Sequence, residues 1–92
     1  MNLSIIENEI LDLLLDDYEA PETIAQNISI KITKKEILSV LDSLTTSGLV
    51  QPFIYDTASQ QYKKIEPAST NPNQEVWFLA TSVGRNWAAN NG

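Results

Sequence analysis

Cysteine and histidine are both absent from this chain of 92 residues. Without cysteine there is no disulfide framework and no thiolate metal site, and without histidine the commonest metal ligand and general base are missing too. Glycine and proline, 3 and 4 residues respectively, are too sparse for a fibrous or disordered chain, while a hydrophobic content of 42% is enough for a core. No apolar run approaches the roughly 20 residues that span a bilayer, and Met1-Asn2-Leu3-Ser4 lacks the positive start of a secretory leader. The expectation is a soluble cytoplasmic protein, not membrane-bound, forming one domain over residues 1–92 without repeats or linkers.

Basic residues are scarce as well: 6 against 12 acids, for a net charge of −6. Taken as one number this argues against a nucleic-acid partner, but the charges are segregated. Residues 1–30 hold Glu7, Glu9, Asp12, Asp16, Asp17, Glu19 and Glu22 with no base. Residues 31–64 hold Lys31, Lys34, Lys35, Lys63 and Lys64 against Glu36, Asp42 and Asp56, so every base except Arg85 lies in that stretch.

Ser4 and Glu7 form a capping-box pattern, and Ile6, Ile10, Leu13 and Leu14 repeat behind it at helical spacing to about Asp16. Leu11 and Leu15 widen the apolar arc beyond the usual stripe, as in a central helix packed on two sides or one that also contacts a second subunit. Pro21 and Glu22 open a second helix to about Asn27, with Ala25 the small residue expected where two helices cross. Ile28, Ile30 and Ile32 alternate with polar residues and predict an extended, strand-like connection. Thr33 and Glu36 form a second capping box; Ile37, Val40, Leu41 and Leu44 form the buried face, Leu38 its edge, and Gly48 a left-handed stop.

Beyond it, Val50–Asp56 and Gln60–Ile65 read as strands about a polar turn at Asp56–Ser59, with Pro52 at an edge or at a position donating no ladder bond. Pro67–Asn73 has loop composition, and Glu75–Ala80 is the strongest strand. Thr81 caps a short last helix with Val83 and Trp87 on one side, and Asn90-Asn91-Gly92 is expected to fray.

Ile24-Ala25, Leu41-x-x-Leu44-x-x-x-Gly48-Leu49-Val50 and Phe78-Leu79-x-Thr81-x-x-Gly84-Arg85 resemble, in this order, the winged-helix regulators of the MarR and PadR type. The resemblance covers about residues 4–88. It implies an α+β winged helix-turn-helix: a three-helix core, a small antiparallel β-wing and a short C-terminal helix. It also implies a transcriptional regulator that binds double-stranded DNA through the helix at about 34–47 and the wing. Those families usually carry several basic residues on the recognition helix; here there are two, both in its first turn.

With residues spaced about 100° apart, Lys35, Ser39, Asp42, Ser43 and Thr46 lie opposite the apolar face, the stripe that would meet a major groove. Lys31, Lys34, Lys35, Ser39, Ser43, Lys63 and Lys64 are the candidate DNA-binding residues, with ammonium groups for phosphate or guanine and hydroxyls for either. The competing reading is a protein-interaction module or homodimer, docking through Leu11, Leu15, Trp87 or Trp77. Catalysis is not expected. Asp12 and Asp16 are a solvated helix pair without a nucleophile and base, the isolated glycines cradle no phosphate, and no cofactor or metal is implied.

Overall fold

The computed structural model describes residues 3–66 and 75–91. Its elements are α1 (Ile5–Leu13), α2 (Pro21–Asn27), α3 (Lys34–Thr46), β1 (Val50–Asp56), β2 (Gln61–Lys64), β3 (Trp77–Ala80) and α4 (Ser82–Asn91). The strands form one antiparallel sheet in the order β2-β1-β3. Both capping boxes form, each with the Ser4 or Thr33 hydroxyl on the third helical amide and a glutamate returning to the cap amide. One core joins Ile10, Leu11 and Leu14, Ile24 of α2, Ile37, Leu41 and Leu44 of α3, and Val50, Phe78 and Ala80 of the sheet. Each fully buried Leu or Ile there contributes roughly 2 kcal/mol.

Several local expectations yield to tertiary demands. The first helix ends at Leu13 rather than near Asp16, because the chain must leave it to line the outer edge of β3. The Leu14 carbonyl accepts from the Ala80 N–H at 2.9 Å, and Glu19 and Phe78 exchange both backbone bonds at 3.0 and 2.9 Å. This segment, not the Ile28–Ile32 connection, supplies the additional β-bridge. The connection forms no strand; its Ser29 amide and hydroxyl are bound instead by the Glu9 carboxylate on α1. Ile24, fully buried, fills the helix crossing, and Ala25 is exposed. In α4 the inward residues are Gly84, Trp87 and Ala88, while Val83 is 58% exposed; the helix runs through Asn90 and Asn91 instead of fraying there. The Pro67–Asn73 loop lies outside the described residues.

Pro52 sits in the middle strand, where its missing N–H would ordinarily cost a ladder bond. Its carbonyl accepts from Ile65 N–H at 3.2 Å, so the missing donor faces Ile65 too. Gln51 Nε2 takes that place, donating to the Ile65 carbonyl at 3.0 Å and to Pro52 O at 3.1 Å.

Candidate nucleic-acid interface

Helix α3 is fixed at both ends. At its start the Thr33 hydroxyl accepts from Glu36 N–H at 3.1 Å while Glu36 Oε1 accepts from Thr33 N–H at 3.1 Å. At its end Gly48 has φ of +81°. Leu49 N–H reaches the Leu44 carbonyl and Gly48 N–H the Thr45 carbonyl, both at 3.0 Å, which completes a Schellman motif. With Ile37, Leu41 and Leu44 buried, the opposite stripe of Lys35, Ser39, Asp42, Ser43 and Thr46 is exposed, as the helical spacing predicts.

Lys34 and Lys35 occupy the first turn of α3, where the helix dipole disfavours cations and favours anions. Lys34 forms an ion pair with Glu22 at the start of α2. That ammonium, with a smaller effect from its own backbone N–H, draws the Glu22 carboxyl below its usual pKa. Lys35 and Lys31 are exposed and, among the described residues, have no carboxylate within ion-pair distance. Ser43 leans toward α1, its hydroxyl 3.4 Å from Glu7 Oε2. Ser39 is exposed mid-stripe beside Leu38, which is 45% exposed.

The two lysines of β2 do not act together. Adjacent strand residues point to opposite faces, so Lys63 faces with Asp56 and Lys64 with Tyr62. Lys63 Nζ lies 2.8 Å from Asp56 Oδ2, which also accepts from the Ser59 hydroxyl at 3.0 Å, while Oδ1 accepts from Ala58 N–H at 3.1 Å. Together these donors, Lys63 foremost, lower the Asp56 pKa from 3.8 to about 2. The turn itself, Thr57-Ala58-Ser59-Gln60, carries no charge. Lys64 pairs across the sheet with Phe53 and has no carboxylate within ion-pair distance among the described residues. β2 is the outermost strand, where lysines also discourage edge-to-edge association.

Of the seven sequence-derived candidates, Lys31, Lys34, Lys35, Ser39 and Ser43 gather on and just before α3, while Lys63 and Lys64 divide between two sheet faces. Among the proposed docking residues, Leu11 is 1% exposed and its side chain belongs to the core. Leu15, Trp77 and Trp87 are half-buried.

Two arrangements escape one-dimensional reading. The first is a joint between the chain following α3 and the start of α4. Thr81 Oγ1 donates to the Gly48 carbonyl at 2.7 Å and accepts from Gly84 N–H at 3.0 Å, while Thr81 N–H donates to Leu49 O at 3.0 Å. A Cβ at Gly84 would lie 2.1 Å from Leu49 O, so only glycine allows the approach. Arg85 Nε then donates to the Leu15 carbonyl just past α1 at 3.0 Å. The second is an aromatic cluster on the outer sheet face. Tyr18 stacks on Tyr62 with centroids 3.8 Å apart, and Phe53, Tyr55 and Trp77 surround the pair. The alternation of β1, β2 and β3 was the signal for it, but Tyr18 comes from a loop that no periodicity places.

Among the described residues no group of three carboxylates is placed to hold a metal ion, and no helix is long and apolar enough to cross a membrane. No protein-family model matches the sequence, and no curated protein matches it. In structure the chain is similar to a mutant of Lactococcus lactis ZitR, with a TM-score of 0.67 and 18% identity, over 98% of this chain and 51% of that one. The chain therefore spans about half the length of that protein. Helix order, the β2-β1-β3 sheet and this likeness together make the fold an α+β winged helix-turn-helix.

Proposed function

We propose that this chain is a small cytoplasmic regulator, a single domain over residues 1–92, that binds duplex DNA through α3 and the wing and carries out no catalysis. The relationship to MarR- and PadR-type regulators belongs to the same reading. The observation that carries it is the exposed stripe of α3. Lys35, Ser39, Asp42, Ser43 and Thr46 face outward from a doubly capped helix, with Lys31 and Lys35 unpaired beside the positive end of its dipole. First-turn lysines are poorly placed for helix stability and well placed for a phosphate. Three unpaired lysines on the described surface support weak binding governed by salt. If Lys31, Lys35 and Lys64 engage, the logarithm of affinity falls against that of salt with a slope of about −3, and nearer −4.5 if Lys34 and Lys63 exchange their carboxylates for phosphates.

Anisotropy of a labelled random duplex, titrated from low to high salt, measures that slope. Joint charge reversal, Lys34→Glu with Lys35→Glu, is expected to abolish binding. Absence of binding by the unaltered protein at low salt would sink the proposal.

A second reading, docking to a protein, is favoured by the pairing of Lys34 with Glu22 and Lys63 with Asp56, and by Leu38 exposed beside the stripe. In that case the double reversal leaves partner binding intact, and the contact involves Leu38, Leu15 or Trp87 rather than buried Leu11.

A further inference from the structure

The outer face of the sheet carries a feature that the α3 stripe leaves unused. An open hollow of about 410 Å³ is lined there by Ile54, Tyr55, Thr57, Tyr62, Glu75 and Trp77. Its size falls within the ordinary range for small-molecule sites. Tyr62 stands nearly perpendicular to both Tyr55 and Trp77, at 69° and 78°, with centroids 5.1 and 5.8 Å away. The three rings therefore line the hollow from different directions. Tyr18, stacked on Tyr62 and edge-on to Phe53, buttresses the arrangement from outside the hollow. Tyr55 remains 43% exposed although its neighbours offer apolar cover, which leaves ring surface open to a ligand.

The electrostatics select the sign of that ligand. Aromatic faces carry the negative end of a quadrupole and attract cations. Glu75, on the lining, adds a full negative charge. Burial, which penalises charge of either sign, is the first cause that pushes the Tyr62 phenol above its usual pKa; the carboxylates of Asp17 and Glu75 act in the same direction. Lys64 shares this sheet face but pairs with Phe53 and does not line the hollow. One carboxylate is too few to dehydrate a metal ion, and a primary ammonium holds its water tightly. An alkylated ammonium is weakly hydrated and loses little on meeting the rings.

We propose that the Tyr55–Tyr62–Trp77 hollow, with Glu75 at its side, binds a small organic cation bearing an alkylated ammonium group. The site is distinct from the α3 stripe, and its occupancy is read on the protein without DNA, so that it stands or falls separately from the regulator reading.

Tetramethylammonium and its neutral isostere neopentyl alcohol form the probe pair, followed by NMR shifts of the Trp77 indole and the Tyr62 ring. Tetramethylammonium is expected to bind at about millimolar concentration and the alcohol at least about threefold more weakly. Glu75→Gln, which keeps every ring, is expected to weaken the cation by about threefold and leave the alcohol unchanged. Tyr55→Thr, at an exposed strand position, is expected to weaken the cation with little change in the remaining spectrum. Equal affinity for both probes would show a merely apolar hollow and overturn the proposal, as would unmoved Trp77 and Tyr62 signals. A trimethyllysine peptide distinguishes the source: tighter binding than tetramethylammonium assigns the cation to a partner's side chain, and weaker binding to a free small molecule.

Discussion

The joint between α3 and α4 and the β1–β2 hairpin are built on different principles. At the joint, backbone meets backbone: the Leu49 carbonyl is held by Thr81 N–H and closed over by Gly84 with no room for a Cβ. Removal of solvent and lack of side-chain alternatives make that contact insensitive to pH and salt. The hairpin turn is tied by exposed side chains, with one carboxylate of Asp56 gathering Lys63, Ser59 and the Ala58 amide. Such a network is screened by salt and titrates. The joint ties the chain that follows α3 to α4, whereas the hairpin commits the Lys63 charge to its own turn.

Changing the joint should cost most. Gly84→Ala gains helix propensity but forces a methyl group into the Leu49 carbonyl, and is expected to lose about 3 kcal/mol or more, read as a lower urea midpoint. If the variant is as stable as the parent, the close approach is not a constraint. Next comes Thr81→Val, which keeps the side-chain shape while removing the cap on Gly84 and the bond to Gly48. A loss of about 1–2 kcal/mol is expected in the same measurement.

The smallest change is expected at the hairpin. Asp56 has a folded-state pKa depressed from 3.8 to about 2, so its contribution is fully present above about pH 4 and is lost as pH falls toward 2. A carboxyl NMR titration of Asp56 should show a midpoint near 2, moving up toward 3.8 in Lys63→Gln, with the α3 and α4 signals unmoved. Loss of the whole fold in step with Asp56 would remove the distinction between the two regions.

Most helices were readable from the chain because their signals are local. Ser4 with Glu7, Thr33 with Glu36, and Gly48 after Thr46 each act within one helical turn, and all operate in the structure. Helix α1 ran short of its pattern because Leu14 is needed by β3, a partner more than sixty positions away. The Ile28–Ile32 alternation suggested a strand, but Glu9 supplied a side-chain acceptor for Ser29, and a strand needs a neighbouring strand rather than an alternating pattern alone. Candidate residues on α3 were legible from helical spacing. Their electrostatic state was not, since Lys34 meets Glu22 only through the packing of α2 on α3.

What the sequence determined by itself was the two capping boxes, the glycine stop of α3, the face α3 buries and the strand character of β1 to β3, because those follow from backbone sterics, hydrogen-bond satisfaction and periodicity over a few residues. Only the tertiary structure decided that Lys34 meets Glu22 while Lys31 and Lys35 stay unpaired, and that Tyr18 completes an aromatic face with Tyr62 and Trp77. Those outcomes depend on whether side chains from segments remote in the chain come into direct contact, so no local pattern encodes them.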